Sequence, residues 1–442
     1  MPRRLFFAPI FAAAIGCSSS ESGTLQIVTG GESDTFSRTP APVKLEVDAV
    51  DSSGQKQTLA TASLPATTVD LGSVDQSSEG IIQVTGKDAD GNSLVYGQSV
   101  PIQFGSLDGV TLPIFVQRTG EFARMPGPFS ADTRAAPTLA LVSGRYLFIG
   151  GGGDSSLSTT AQLYDFASYK PLAPPLSLPR VPESVVFVGT VAWLIDKSGA
   201  TSFDVSQGTQ ADVTAPSGGS FGDVAGGATV VGSDGSQYLV GATRPTGTPT
   251  NAVLVIDPTG TPSWATLTGS RLGAAATWVD GRGLVVAGGS DQAGGVEILS
   301  SGTTAGVALA YPPDASTGSG AATLDGEHVL LAGGTTPMGQ DAGVRSIDLT
   351  CNMQCAPAAW AMLPAPLPLG QAQVFTSDPA TALLVGDDPS GMTRAYRLTA
   401  TTVTEVATKV AHSGARGIVS PLGSVVIFGG ASEIESFVPY VR

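Results

Sequence analysis

Charge is the scarcest property of this chain. Only 13% of its 442 residues are Asp, Glu, Lys or Arg, and 37 acids outweigh 22 bases for a formal net charge of −15. A surface so poor in Lys and Arg excludes binding to a phosphate backbone, so no nucleic-acid partner is expected. The sign is equally wrong for electrostatic docking on anionic lipid. Histidine occurs twice, as His328 and His412, and cysteine three times, as Cys17, Cys351 and Cys355. Long helix-forming stretches are few. No Gly-x-Ser-x-Gly elbow sits between a strand and a helix, and Gly150–Gly153 lacks the Lys and the helix of a phosphate-binding loop. What is plentiful is glycine (57), proline (31) and apolar side chains (42%). Those amounts point to many turns, many strands and a large buried core.

The first residues stand apart. Arg3 and Arg4 precede the apolar run Leu5–Ile15, which is too short to span a bilayer as a helix. Ala14-Ile15-Gly16 then leads to Cys17. This pattern resembles a bacterial lipoprotein signal peptide over residues 1–16, with Ala14 where Leu is more usual. The resemblance implies that Cys17 becomes an N-terminus carrying acyl chains such as palmitate, with residues 17–23 as a polar tether. Ser18 stands where an inner-membrane retention signal would place Asp, so the implied address is the outer membrane, on its periplasmic or its cell-surface side. The competing reading is an ordinary cleaved secretory signal with an incidental cysteine. Outside the cytoplasm, the neighbouring Cys351 and Cys355 are expected to pair as a disulfide. A metal site would need further ligands near them, and the sequence offers none.

Residues 24–118 read as short alternating strands. Val43-Lys44-Leu45-Glu46-Val47-Asp48-Ala49-Val50 alternates strictly, as does Ile82-Gln83-Val84-Thr85. Asp88-Ala89-Asp90-Gly91-Asn92 lies before Leu94-Val95-Tyr96 and reads as a hairpin turn. A calcium loop would need twelve residues and a terminal Glu, which are missing. Such strands suggest a small β-sandwich, immunoglobulin-like in architecture only, because the Cys-Trp-Cys signature is absent.

From residue 119 to the end a repeat takes over. Strands ending in paired glycine recur at Gly151-Gly152, Gly288-Gly289, Gly333-Gly334 and Gly429-Gly430. The second glycines are 137, 45 and 96 residues apart, near three, one and two copies of one unit. A unit of about 45–50 residues built from short strands is the size of a propeller blade. Trp264-Ala265-Thr266-Leu267, Trp360-Ala361-Met362-Leu363 and Phe122-Ala123-Arg124-Met125 mark a matching aromatic strand, and Tyr169 falls at the same place. In these features the chain resembles the kelch family and the wider galactose oxidase central-domain group. Weaker units at Val191–Ile195, Gln237–Gly241 and Leu383–Gly386 bring the count to seven. The expected fold is therefore all-β: an N-terminal β-sandwich (24–118) followed by a seven-bladed β-propeller (119–442), or six-bladed if the Trp193 unit is not a blade. The strand at Phe122 should complete the last blade and close the ring.

The nearest enzymes of that group are copper radical oxidases, which use two His, a metal-binding Tyr and a second Tyr linked to Cys. Here His328 opens a glycine-ended strand, His412 lies between units, and the cysteines near the repeat are committed to each other. Neither copper nor any other cofactor is expected, and both histidines read as surface or turn residues. In a propeller the loops after second and fourth strands share one face. Arg134, Arg180 and Arg271 fall where a fourth-strand loop leads into the next blade, and Asp154, Asp291, Asp341, Asp387 and Asp388 fall after second strands. They form a candidate ligand face, on which Arg suits a carboxylate or sugar hydroxyl and the acids suit Ca²⁺ or a basic partner. The competing reading has the arginines tying neighbouring blades together. The expected function is a non-catalytic lipoprotein whose propeller face binds a protein or glycan. The alternatives are a propeller enzyme acting on carbohydrate, as oxidase or hydrolase, and a purely structural envelope protein.

Overall fold

The computed structural model describes residues 23–72, 77–127, 133–153, 157–242, 247–361, 368–378 and 380–439. Residues 1–16, Cys17 and Asp154 lie outside them. The described chain is all-β, with Phe104–Leu107 and Phe221–Asp223 as short 3₁₀ turns.

The alternating segments near the N-terminus form two sheets. One runs in the order Lys56–Ser63, Lys44–Asp51, Glu79–Lys87, Ser93–Gln98, Gln117–Arg118. The other sets Thr24–Val28 between Thr68–Asp70 and Thr111–Phe115, parallel to the latter. Period-two alternation turns Leu45 and Val47 of one strand and Ile82 and Val84 of another into a core shared with Leu25 and Ile114, and all six are fully buried. The acidic segment forms the hairpin turn between Glu79–Lys87 and Ser93–Gln98. The Asp88 carboxylate accepts from Asp90 N–H at 3.0 Å, from Asn92 N–H at 2.8 Å and from Asn92 Nδ2 at 2.9 Å.

Beyond residue 120, the described strands fall into seven antiparallel sheets. Sheets one to seven begin at Thr138–Val142, Ser184–Val188, Gly227–Val231, Ala275–Val279, Gly320–Thr323, Gly370–Asp378 and Arg416–Val419. In each of the first six, the following strands add outward in chain order, and sheet one carries an extra short strand, Leu176–Ser177. The Trp193 unit forms a full sheet, so the count is seven and not six. First strands neighbour one another in chain order, and the seventh touches the first.

Sheet seven is assembled from both ends of this region. Arg416–Val419, Val425–Phe428 and Glu435–Phe437 are followed by Phe122–Arg124, with Phe122 opposite Phe437 and Arg124 opposite Glu435. The two Phe rings are buried, with centroids 5.3 Å apart. Truncating either aromatic would remove about 3–5 kcal/mol of packing, so this pair is a strong latch for a three-residue strand.

The paired glycines answer a steric demand. Gly152 has φ 60°, and a Cβ there would sit 2.4 Å from the Ala135 carbonyl oxygen. Gly430 has φ 69°, and its Cβ would meet Ser413 N at 2.3 Å. In both sheets the turn after the second strand presses on the linker that leads into the first. Linkers and second-strand turns therefore share one end of the ring.

The N-terminal sheets pack on the other end. Phe115 N–H donates to Tyr169 Oη at 2.9 Å, and Gln98 Nε2 donates to the Pro421 carbonyl at 3.0 Å. Val100 and Phe115 join Met125, Tyr169 and Leu422 in one apolar cluster. Tyr169 lies in the turn before the fourth strand of sheet one, and Leu422 in the turn after the first strand of sheet seven.

Candidate functional site

The seven first strands surround a channel of about 550 Å³. Toward the linker end its wall carries Glu183, Ser184, Ser319, Gln371, Gln373 and Arg416; farther along it carries Leu141, Phe187, Val231, Phe375 and Val419. Gln373 bridges two first strands, accepting from Gly417 N–H at 2.7 Å and donating to the Gly417 carbonyl at 3.2 Å. The N-terminal sheets contact the opposite end, so the polar mouth is the one they leave uncovered.

Three arginines sit at the linker end of the ring but outside the channel lining, Arg134 and Arg180 in linkers and Arg271 at the end of the strand Pro262–Arg271, and all reach into the sheet that follows them. Arg134 is buried, donating to the Gly151 carbonyl at 3.1 Å and to the Thr160 carbonyl at 2.8 Å. Arg271 is buried and pairs with the equally buried Glu297 at 2.6 Å, while also donating to the carbonyls of Gly288 and Gly294. Arg180 is half-buried and donates to Asp196 Oδ1 at 2.7 Å and Thr201 Oγ1 at 2.8 Å. The ligand-facing role expected of Arg134 and Arg271 is therefore corrected. Their donors point inward and bind linker to sheet, because a buried guanidinium must be hydrogen-bonded on the spot.

The acids divide. Asp387 is held by Arg416 at 3.0 Å and by the Thr393 hydroxyl at 2.9 Å. Asp388 accepts from the Ser390 hydroxyl at 2.5 Å and from Arg394 Nε at 2.9 Å. The Ser390 hydroxyl first, then Arg394 and the Met392 amide, hold its carboxyl down at about 2. Asp341 is half-buried, and burial pushes its carboxyl above the ordinary range although it accepts from Gly343 N–H. Asp291 is exposed, and neither it nor Glu183 at the channel wall makes an ion pair among the described residues. The open charge is therefore acidic at this end of the ring, with Glu183 on the channel wall and Asp291 in a loop outside the lining.

His412, expected at the surface, is buried. Its Nδ1 lies 2.8 Å from the Gly429 carbonyl and its Nε2 lies 3.4 Å from Glu435. It occupies in the linker to sheet seven the place that Arg271 occupies before sheet four. Glu297 and Glu435 match as well, since each pairs with the residue two before the first glycine. The signal was present as spacing: Arg134, Arg271 and His412 each precede their glycine partner by 17 residues. In sheet five the charges are exchanged. Arg345 takes the third-strand place, opposite Leu331, and donates to the linker's Asp314 at 2.7 Å. His328 is partly exposed and faces Asp325 at 3.0 Å. Cys351 and Cys355 are joined as a disulfide. Among the described residues no group of three or more His, Cys, Asp or Glu is placed to hold a metal ion.

The described chain thus belongs to the class of all-β proteins built from repeated four-stranded antiparallel sheets. No family model and no curated protein matches the sequence. Among solved structures, the chain is similar to the computationally designed Ika8 protein, with a TM-score of 0.44 and 13% identity over 72% of this chain and 100% of that one. It is also similar to the tricorn protease, with a TM-score of 0.42 and 11% identity over 87% of this chain and 43% of that one.

Proposed function

We propose that the seven sheets are the blades of a kelch-like β-propeller and that the protein is a non-catalytic binding lipoprotein. In this reading Cys17 carries the lipid, and the N-terminal sandwich raises the propeller from the outer membrane. The linker end then receives a protein or glycan partner, with no cofactor. One observation carries the reading: the N-terminal sheets bear on one end of the ring and leave the polar channel mouth open at the other. Because Arg134 and Arg271 are turned inward, Glu183 on the channel wall and the exposed Asp291 in a loop at the same end set the charge presented there. The partner should therefore present a cationic group.

Full-length protein and a Glu183→Lys/Asp291→Lys variant, each used to capture partners from envelope extract and on a glycan array, provide the test. A partner held by the first and lost by the second is expected; identical captures would defeat the reading. Cys17→Ala should move the protein from the membrane fraction to the soluble one, and retention at the membrane would remove the anchor from the account.

A further inference from the structure

At the end of the ring away from the linkers, sheets three and four, with Ala321 of sheet five, border a shallow groove of about 500 Å³. Thr229, Val231, Ser233, Thr277, Trp278 and Asp280 line it. Trp278 is the fourth residue of the strand Ala275–Val279 and is only partly covered. Tyr238, itself buried, stacks on its ring with centroids 5.3 Å apart and planes 29° apart. The indole Nε1–H lies 3.0 Å from Asp280 Oδ1 and 3.2 Å from Ser233 Oγ. The stacking fixes the plane of the indole and the two polar contacts fix its rotation. The ring is thereby set before any ligand arrives, which lowers the ordering cost of binding.

Val231, 56% exposed, lies at the boundary of this groove and the channel and lines both. A fixed aromatic face flanked by hydroxyls and one carboxylate matches a pyranose ring. Its C–H face packs on the indole, and its hydroxyls donate to Asp280 and exchange hydrogen bonds with Ser233. The groove lining holds no Lys or Arg, and Asp280 would repel a uronate or sialate. The N-terminal sheets touch sheets one and seven, across the ring from sheets three and four, so they leave the groove uncovered.

We propose that the Trp278 groove is a binding site for neutral pyranose oligosaccharides, separate from the linker-end mouth. Purified protein is titrated with cellotetraose, with β-1,4-galactotetraose and with tetragalacturonate, read by tryptophan fluorescence and calorimetry. Saturable binding of at least one neutral tetrasaccharide, and weaker binding of the uronate, are expected. Trp278→Ala should weaken the neutral ligand about tenfold or more, and Trp278→Phe should fall between it and the parent. Val231→Asp, at an exposed position, should also weaken binding while leaving the melting curve unchanged, so a folding defect in Trp278→Ala cannot mimic the result. The Glu183→Lys/Asp291→Lys variant should bind the sugar as the parent does, which separates this site from the proposed partner face. Absence of saturable binding to both neutral sugars, or equal affinity in Trp278→Ala and the parent, overturns the proposal.

Discussion

Replacing Arg271 by Met should destabilise the protein by about 3–5 kcal/mol, the usual cost of breaking a buried pair from one side. The size follows from what is left behind. Arg271 and Glu297 have no exposed side-chain surface, and the guanidinium donates to Glu297 and to the carbonyls of Gly288 and Gly294. Met fills much of the volume but strands a carboxylate whose other partner is the Thr268 amide, at 2.6 Å. The desolvation of that charge is then uncompensated. A second change, Glu297→Leu in the same chain, removes the stranded charge and should recover most of the loss. Arg180→Met breaks a pair whose side chains are 17% and 20% exposed, and it should cost only about 1 kcal/mol. Equilibrium urea unfolding of the four proteins, compared at their midpoints, measures each term. A loss below about 1 kcal/mol for Arg271→Met, or no recovery in the double variant, would refute the reasoning.

The Cys351–Cys355 bridge spans four positions; so short a loop stabilises by about 2 kcal/mol in the chain-entropy account. The Cys351→Ser/Cys355→Ser variant should therefore keep its circular-dichroism spectrum and lose no more than that in urea. The Asp388 carboxyl should titrate near 2 by carbon NMR, and Ser390→Ala should raise its midpoint, because the Ser390 hydroxyl is the largest influence holding it down. Its folded value lies below its unfolded one, so its contribution is complete above the ordinary carboxylate range and is lost as pH falls toward 2. An unchanged midpoint in Ser390→Ala would contradict that assignment.

The repeat was legible because its demand is steric. A turn pressed on a linker backbone tolerates only glycine, so Gly152, Gly289, Gly334 and Gly430 stand out as a series. Where the demand changes, the signal weakens. In sheet two Asp196 ends the second strand and accepts from Arg180 and from the amides of Ser198 and Gly199, so a full sheet forms without the glycine pair. The same logic explains what was missed at the mouth. Arg134, Arg271 and His412 lie in loops by sequence, and loops usually face water. Here each linker is wedged between sheets, so its polar side chain serves the neighbouring backbone. The spacing of 17 residues to the glycine carbonyl carries that information, and composition does not. Trp278 stands where sheet one carries Leu141, so the repeat itself does not call for an aromatic there. Its place beside Tyr238 depends on the approach of two sheets, which no local pattern encodes.

Closure of the ring by its own leading strand is the claim on which the rest depends, and a cross-link tests it most directly. Ala123 and Ser436 are opposite one another in the antiparallel register. Ala123→Cys with Ser436→Cys, oxidised and then cut by protease at one exposed turn between them, should leave a single covalent species under non-reducing conditions, in monomeric protein with an unchanged melting curve. Two separate fragments, or a cross-link found only between molecules, would contradict the closed ring.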